Sequence, residues 1–234
     1  IKPKGSSLMR ILIINPNSSA AGTAAINGIA QSYAAGRFEV ETVRTPGAPA
    51  FVVTFEDYAQ SMPGMVQLLK ENYDKFDAFV IACHSDPNLE LLKEISAKPV
   101  VGICEASIKI ASMIGDKFSV VSPGKRSIAN KCAMIRDRFR MGGYLASVRA
   151  PEKPAMEGTD MKALLMPEAK RAIEEDGAEV IVLGCAEFAG LDKEMSKELG
   201  VPVLDGTVCA LMVAEGLVNA GYSTSKRCRF RPND

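Results

Sequence analysis

Six cysteines are the residues of this 234-residue chain best suited to chemistry: Cys83, Cys104, Cys132, Cys185, Cys209 and Cys228. No two form a Cys-x-x-Cys pair, and His84 is the single histidine, so a zinc site or a thioredoxin-like redox pair is not expected. Two of the six sit in matching surroundings. Ala78-Phe79-Val80-Ile81-Ala82-Cys83 and Val180-Ile181-Val182-Leu183-Gly184-Cys185 are both apolar runs ending in a small residue and then a cysteine. Each is followed by a short helical stretch and a Pro-Val strand: Pro99 lies 16 residues after Cys83, and Pro202 lies 17 after Cys185. One single-residue gap superposes the segments, with offsets of 102 at the cysteines and 103 at the prolines. Cys104 and Cys209 do not superpose, because Cys104 falls on Thr207 and Cys209 on Ala106. A repeat-related thiol pair is equipment for stereochemical inversion. One thiolate removes the proton next to a carbonyl, and the other thiol returns one on the opposite face, each working best with a pKa near the operating pH.

The elements that position these residues follow from the apolar pattern. Continuous apolar strands alternating with helices indicate parallel sheets covered on both faces. Strands are expected over 11–14, 38–43, 77–82, 99–102, 118–121, 179–183 and 201–204, with a weaker one in 142–154. Helices are expected after 15–19, over 55–73, 88–96 and 105–114, from 122 to about 139, and over 161–175, 191–198 and 206–219. The fold class is therefore α/β, in two pseudo-symmetric lobes, each a parallel β-sheet flanked by helices, with the active site between them. The expected divisions are a leader or tag remnant over 1–8, an N-terminal lobe over 9–117, a C-terminal lobe over 118–222 with its last helix packing on the first lobe, and a polar, solvated tail over 223–234. Met9 is a candidate native start, and no apolar signal-peptide core precedes it.

Ligands of open parallel sheets bind beyond the carboxyl ends of the strands, where Cys83 and Cys185 are expected. Helix N-terminal amides there favour the thiolate. Asn15 and Asn17, after the first strand, offer amide donors to a substrate carbonyl or carboxylate, or else cap the first helix. Ser122, at the matching strand end of the second half, is a donor or a cap. His84 either tunes Cys83 as a neighbouring cation or faces the pocket rim. Ser85, Ala186 and Glu187 adjoin the cysteines and are candidates for substrate contact. Glu105 caps its own helix or faces the pocket. Asp86 before Pro87 reads as a helix N-cap with proline at the first helical position.

The order and spacing of several marks resemble the aspartate/glutamate/hydantoin racemase superfamily, and most closely its hydantoin racemase branch. They are Ile14-Asn15-Pro16-Asn17-Ser18, Ile81-Ala82-Cys83 with Asp86-Pro87, Pro99-Val100-Val101-Gly102-Ile103 with Glu105-Ala106, Leu183-Gly184-Cys185-Ala186, and Val201-Pro202-Val203 with Asp205-Gly206. The resemblance runs from Met9 to Ala220. It implies a racemase or epimerase that needs no cofactor, with Cys83 and Cys185 as the acid/base pair, in a two-lobed fold often assembled as a homo-oligomer. Two positions depart from the hydantoin racemase pattern: His84 stands where many have an aromatic residue, and Asn88 where many have glycine. Glu187, two residues after the second cysteine, is reminiscent of the amino-acid racemases.

Composition narrows the partners. Lys plus Arg and Asp plus Glu are both 28, for a formal net charge of zero, which argues against a nucleic-acid partner. No apolar run approaches the roughly 20 residues of a membrane span. A small-molecule substrate and a cytoplasmic location are expected. The substrates expected first are 5-substituted hydantoins or allantoin-like ureides, whose α-carbanion is delocalised into a ring carbonyl. An aspartate/glutamate racemase is the alternative; it would want a pocket cation, for which Lys125 and Arg126 are candidates. Malonate decarboxylation needs only one cysteine. A non-catalytic binding module would need no thiol pair.

Overall fold

In the computed structural model, residues 8–153, 158–188 and 190–233 are described; the expected leader, apart from Leu8, lies outside them. The described residues form eight strands and eight α-helices. The first half runs β1 (Arg10–Asn15), α1 (Ala20–Ala34), β2 (Glu39–Arg44), α2 (Phe55–Asn72), β3 (Ala78–Ile81), α3 (Leu89–Ile95), β4 (Val100–Gly102) and α4 (Ile103–Ile114). The second runs β5 (Phe118–Val121), α5 (Ile128–Ala133), β6 (Leu145–Arg149), α6 (Met161–Asp176), β7 (Val180–Leu183), α7 (Asp192–Leu199), β8 (Val203–Leu204) and α8 (Gly206–Ala220). Among the described residues no helix is long and apolar enough to cross a membrane.

The strands make two four-stranded parallel sheets, ordered β2-β1-β3-β4 and β6-β5-β7-β8. The central strands are wholly buried, with Ile11 to Ile14, Phe79 to Ile81 and Val180 to Val182 fully excluded from solvent. That is why they read as unbroken apolar runs rather than alternating ones. The edge strand β2, Glu-Val-Glu-Thr-Val-Arg, alternates because one of its faces is wet.

Strand register carries the sequence repeat into three dimensions. Phe79 pairs with Val100 in the first sheet and Ile181 with Val203 in the second, and these four residues correspond under the same 102 and 103 offsets. Val80 with Val101, and Val182 with Leu204, correspond likewise. One step further along β3 and β4, Ile81 pairs with Gly102, whose counterpart in the second half is Asp205.

By their contacts the residues form two compact units, one of 1–103 with 210–234 and the other of 104–209. The expected boundary at 117/118 is thus drawn differently. Helix α4 goes with the second unit, where Cys104, Ile108 and Ala111 join the core of Phe118, Val120, Val148 and Val182. From Ala210 onward α8 goes with the first.

One expected element needs correction. The single helix from 122 to 139 is instead a 3-10 turn over Lys125–Ser127, the short α5, and a widened π turn over Met134–Arg138. The π turn closes through Phe139 N–H to the Met134 carbonyl and lets Ile135 and Phe139 both reach the core. The tail is largely exposed, as expected, and two of its residues anchor it. Ser223 Oγ donates to the Ala97 carbonyl, and Lys226 Nζ donates to the carbonyls of Lys93 and Glu94 at the end of α3. Those are the unpaired carbonyls every helix C-terminus presents, and a cation is the favourable partner for them.

Candidate active site

At the carboxyl end of the first sheet, the turn after β1 is a closed hydrogen-bond network. Asn15 is 1% exposed. Its Nδ2 donates to Asn17 Oδ1 at 2.8 Å and to Thr23 Oγ1 at 3.0 Å, and its Oδ1 accepts the Asn17 N–H. Asn17 Oδ1 also accepts the Ser19 N–H at 2.9 Å, which fixes that atom as the oxygen. Ser19 caps α1 by accepting the Gly22 N–H. Asn15 therefore spends its amide inside the protein and acts as a brace. Asn17 keeps its Nδ2 donors uncommitted and is half-buried, so it is the asparagine able to bind a ligand. The two amides are equivalent in sequence; only the network separates them.

Cys83 follows β3 directly and is half-buried, with Sγ 4.0 Å from the Val52 carbonyl. The strand end is fixed by Ala82 N–H donating to the Ile14 carbonyl at 3.0 Å. His84 beside it is buried at 2% exposure, and Ser85 is half-buried. The chain turns at once, with Asp86 N–H donating to the Cys83 carbonyl at 2.9 Å. Asp86 and Asn88 have φ of 42° and 58°, left-handed values on either side of Pro87. This corrects the reading of Asp86 as a helix cap. Helix α3 begins only at Leu89, and its N-cap residue is Asn88, whose side chain makes no capping bond. The same φ accounts for the departure at position 88. Glycine suits left-handed backbone, and asparagine tolerates it best among the others. Here Asn88 adds Nδ2 hydrogen bonds to the Tyr58 carbonyl at 2.9 Å and to Met65 Sδ, tying the turn to α2.

The second unit repeats the cysteine turn. Gly184 N–H donates to the Val121 carbonyl at 2.8 Å, as Ala82 does to Ile14, and Phe188 N–H donates to the Cys185 carbonyl at 3.2 Å, as Asp86 does to Cys83. Cys185 is half-buried, Ala186 is buried and Glu187 is exposed. Ser122 is fully buried, and its Oγ lies 2.5 Å from Ser127 Oγ. Since Ser127 Oγ gives its proton to the Gly124 carbonyl, Ser122 gives its own to Ser127. Ser122 therefore holds the 122–127 turn and has no proton left for a ligand. Lys125 is paired with Glu152 at the surface, and Arg126 is exposed. Glu105 forms an i,i+4 ion pair with Lys109.

Two of the other cysteines are set apart by burial, while Cys132 is half-buried and Cys228 exposed. Cys104 and Cys209 are buried, and burial, with the nearby charges of Asp205 and Asp192, pushes the Cys209 thiol up to about 12. A thiol so raised is neither a nucleophile nor a base near neutrality.

Each sheet thus ends in a half-buried cysteine at the start of the same hydrogen-bonded turn. Residues 11–214 match the family model described as Asp/Glu/Hydantoin racemase. The chain belongs to that family. A hydantoin racemase of Paenarthrobacter aurescens is 39% identical over 224 residues, covering 93% of this chain and 94% of the relative. Among solved structures, an allantoin racemase from Klebsiella pneumoniae superposes with a TM-score of 0.91 at 30% identity, covering 97% of this chain and 94% of the other. The allantoin racemase of Pseudomonas fluorescens gives 0.86 at 32% identity, covering 97% and 99%. The protein is an isomerase of the racemase type.

Asp205 and Gly102 belong to no chemical motif that the sequence alone singles out. The signal was present, since the two are repeat partners and only one carries a side chain.

Proposed function

We propose that this racemase inverts a carbon next to a carbonyl in a 5-substituted hydantoin or an allantoin-like ureide, with Cys83 and Cys185 as its two proton-transfer groups and no added cofactor. One observation carries the reading: cysteines occupy repeat-equivalent places beyond the carboxyl ends of β3 and β7, each opening an i,i+3 turn. In such a reaction the thiolate of one cysteine takes the α-proton, the substrate's negative charge spreads into the ring carbonyl, and the thiol of the other delivers a proton to the opposite face. The enzyme ends with the two protonation states exchanged. Asn17 supplies amide donors to the developing enolate oxygen, where a preorganised hydrogen bond is worth most.

The cyclic ureide is favoured over aspartate or glutamate by the charges. Of the two cations considered for a second carboxylate, Lys125 is exposed and paired with Glu152, and Arg126 is exposed. The identities of the hydantoin and allantoin racemases above point the same way. A panel of benzyl-, isobutyl- and ureido-hydantoins, aspartate and glutamate, followed by polarimetry, tests the substrate class. Turnover of one of the cyclic ureides with inert amino acids is expected; the reverse pattern would replace this reading with an amino-acid racemase.

A further inference from the structure

The carboxylates of Asp86 and Asp205 are buried, at 0% and 3% exposure, and the proton-transfer scheme uses neither. A buried carboxylate costs several kcal/mol unless hydrogen bonds offset its lost hydration, so its presence calls for a reason. In the second unit Asp205 links two pieces of chain. Its Oδ1 accepts the N–H groups of Thr207 at 2.7 Å and Val208 at 3.4 Å, in the first turn of α8. Its Oδ2 accepts the Gly190 N–H at 3.0 Å, five residues beyond Cys185. One oxygen holds the helix end and the other holds the loop that the cysteine begins.

The first unit places a carboxylate at the equivalent spot by another route. The repeat partner of Asp205 is Gly102, the residue immediately before α4, which has no side chain. A Cβ built on Gly102 would lie 2.3 Å from both Cγ and Oδ2 of Asp86 and 2.5 Å from its Oδ1. The space a side chain at 102 would fill is therefore occupied by the carboxylate of Asp86. Asp86 belongs to the cysteine turn itself, with its N–H bonded to the Cys83 carbonyl. The repeat partner of Asp86 is the apolar, buried Phe188. Each unit thus has one carboxylate at the junction of cysteine loop and following helix. It is supplied from the helix side in one unit and from the cysteine side in the other. Had the carboxylate served only the local fold of one loop, nothing would require its counterpart to reappear from a different chain position.

We propose that Asp86 and Asp205 are matched positioning residues, bracing the loops that start at the reactive cysteines against the starts of α4 and α8 respectively and so fixing each thiol's orientation. This rests on the assignment of Cys83 and Cys185 as the proton-transfer groups. The cost of losing the brace is a cost in alignment, which lowers kcat more than it raises KM.

Asp205→Asn separates bracing from capping. Asparagine caps a helix as well as aspartate, so the bonds from Thr207 and Val208 survive, but an amide NH2 would face the Gly190 N–H as donor against donor. The expected result is a kcat reduced at least about tenfold with KM within about threefold, and an iodoacetamide alkylation rate altered at Cys185 but not at Cys83, read by mass spectrometry. In the first unit, Asp86→Gly keeps the left-handed backbone and removes only the carboxylate. It should lower kcat and alter alkylation at Cys83 alone. Adding Gly102→Asp to it returns a carboxylate to the same place from the other side, and should recover kcat to within about fivefold of the parent. Asp205→Asn with parental kcat and parental Cys185 alkylation would overturn the proposal, as would a folded Asp86→Gly/Gly102→Asp protein no better than Asp86→Gly. The alkylation readout needs no substrate. Failure of the catalytic assignment, seen as full activity in Cys83→Ala or Cys185→Ala, is therefore distinguishable from failure of the brace.

Discussion

Gly184→Ala is a substitution that the repeat declares harmless and the structure declares costly. The equivalent residue in the first unit is Ala82, which carries a Cβ without difficulty. At Gly184 a Cβ would lie 2.7 Å from the Val121 carbonyl oxygen, 2.9 Å from Val120 Cγ1 and 3.0 Å from Ser122 Cα. Two of these three are backbone atoms of the neighbouring strand and its exit, so no side-chain rotation relieves them. The oxygen must recede by 3.0 − 2.7 = 0.3 Å to leave the range real contacts essentially never enter, and by 3.4 − 2.7 = 0.7 Å to reach ordinary contact. The Gly184 N–H to Val121 carbonyl bond, at 2.8 Å, resists that movement. Overpacking of this kind costs about 1–3 kcal/mol. Because Cys185 is the next residue, a displacement of several tenths of an ångström reaches the thiol, and about a tenfold loss of kcat is expected from misalignment. Urea denaturation should show a lower midpoint with unchanged slope, alongside the racemisation rate. Ala82→Gly serves as the control, expected to lose only backbone rigidity of about 0.5–1 kcal/mol. A Gly184→Ala protein with parental midpoint and parental kcat would refute the claimed close approach of β5 and β7.

Further outcomes follow from other parts of the structure. Asn17→Asp keeps the oxygen that accepts from Ser19 and Asn15 while deleting the uncommitted donors; stability should be retained and KM should rise about tenfold or more, as for loss of a ligand hydrogen bond, and an unchanged KM would remove Asn17 from the site. Cys209 should resist alkylation in the folded protein at pH 8 and react on unfolding, because burial holds its thiol up near 12, and Cys209→Ala should leave kcat within about twofold; rapid labelling of the native protein at Cys209 would contradict this. Arg149 donates to Asp176 at 2.5 and 2.8 Å and so holds its carboxyl below the usual value of 3.8. A lowered folded-state pKa contributes stability that is present above pH 3.8 and lost as the pH falls further. Asp176→Asn should therefore destabilise by about 1–3 kcal/mol at pH 7, with the difference from the parent narrowing in thermal melts below pH 3.8; a difference constant across that range would exclude the ion pair as its source.

Much of this architecture was legible before any coordinates. Buried strands such as Ile11 to Ile14 announce themselves because both faces of a central parallel strand are apolar, and the 102-residue offset of Cys83 and Cys185 survives as strand register. Legibility failed where tertiary hydrogen bonds choose among equivalent residues. Asn15 and Asn17 differ only through partners 2 to 8 residues away, and Ser122, a donor or a cap by sequence, is decided by its bond to Ser127. Asp86 misled because Asp-Pro is a helix-start signal, whereas the backbone there is left-handed and the helix waits until Leu89. The tail is exposed, as its lysines and arginines indicate, but the anchoring of Lys226 on the carbonyls that end α3 has no signature in the sequence.

The two-thiol mechanism is tested most directly by racemising one enantiomer of a turned-over substrate in heavy water and measuring deuterium at early times in the product and the recovered substrate separately. Two groups serving opposite faces place deuterium in the inverted product and almost none in the recovered substrate. Cys83→Ala and Cys185→Ala should each lose racemisation by at least about 10²–10⁴-fold. Deuterium appearing equally in recovered substrate, together with near-parental racemisation by either cysteine variant, would contradict the account.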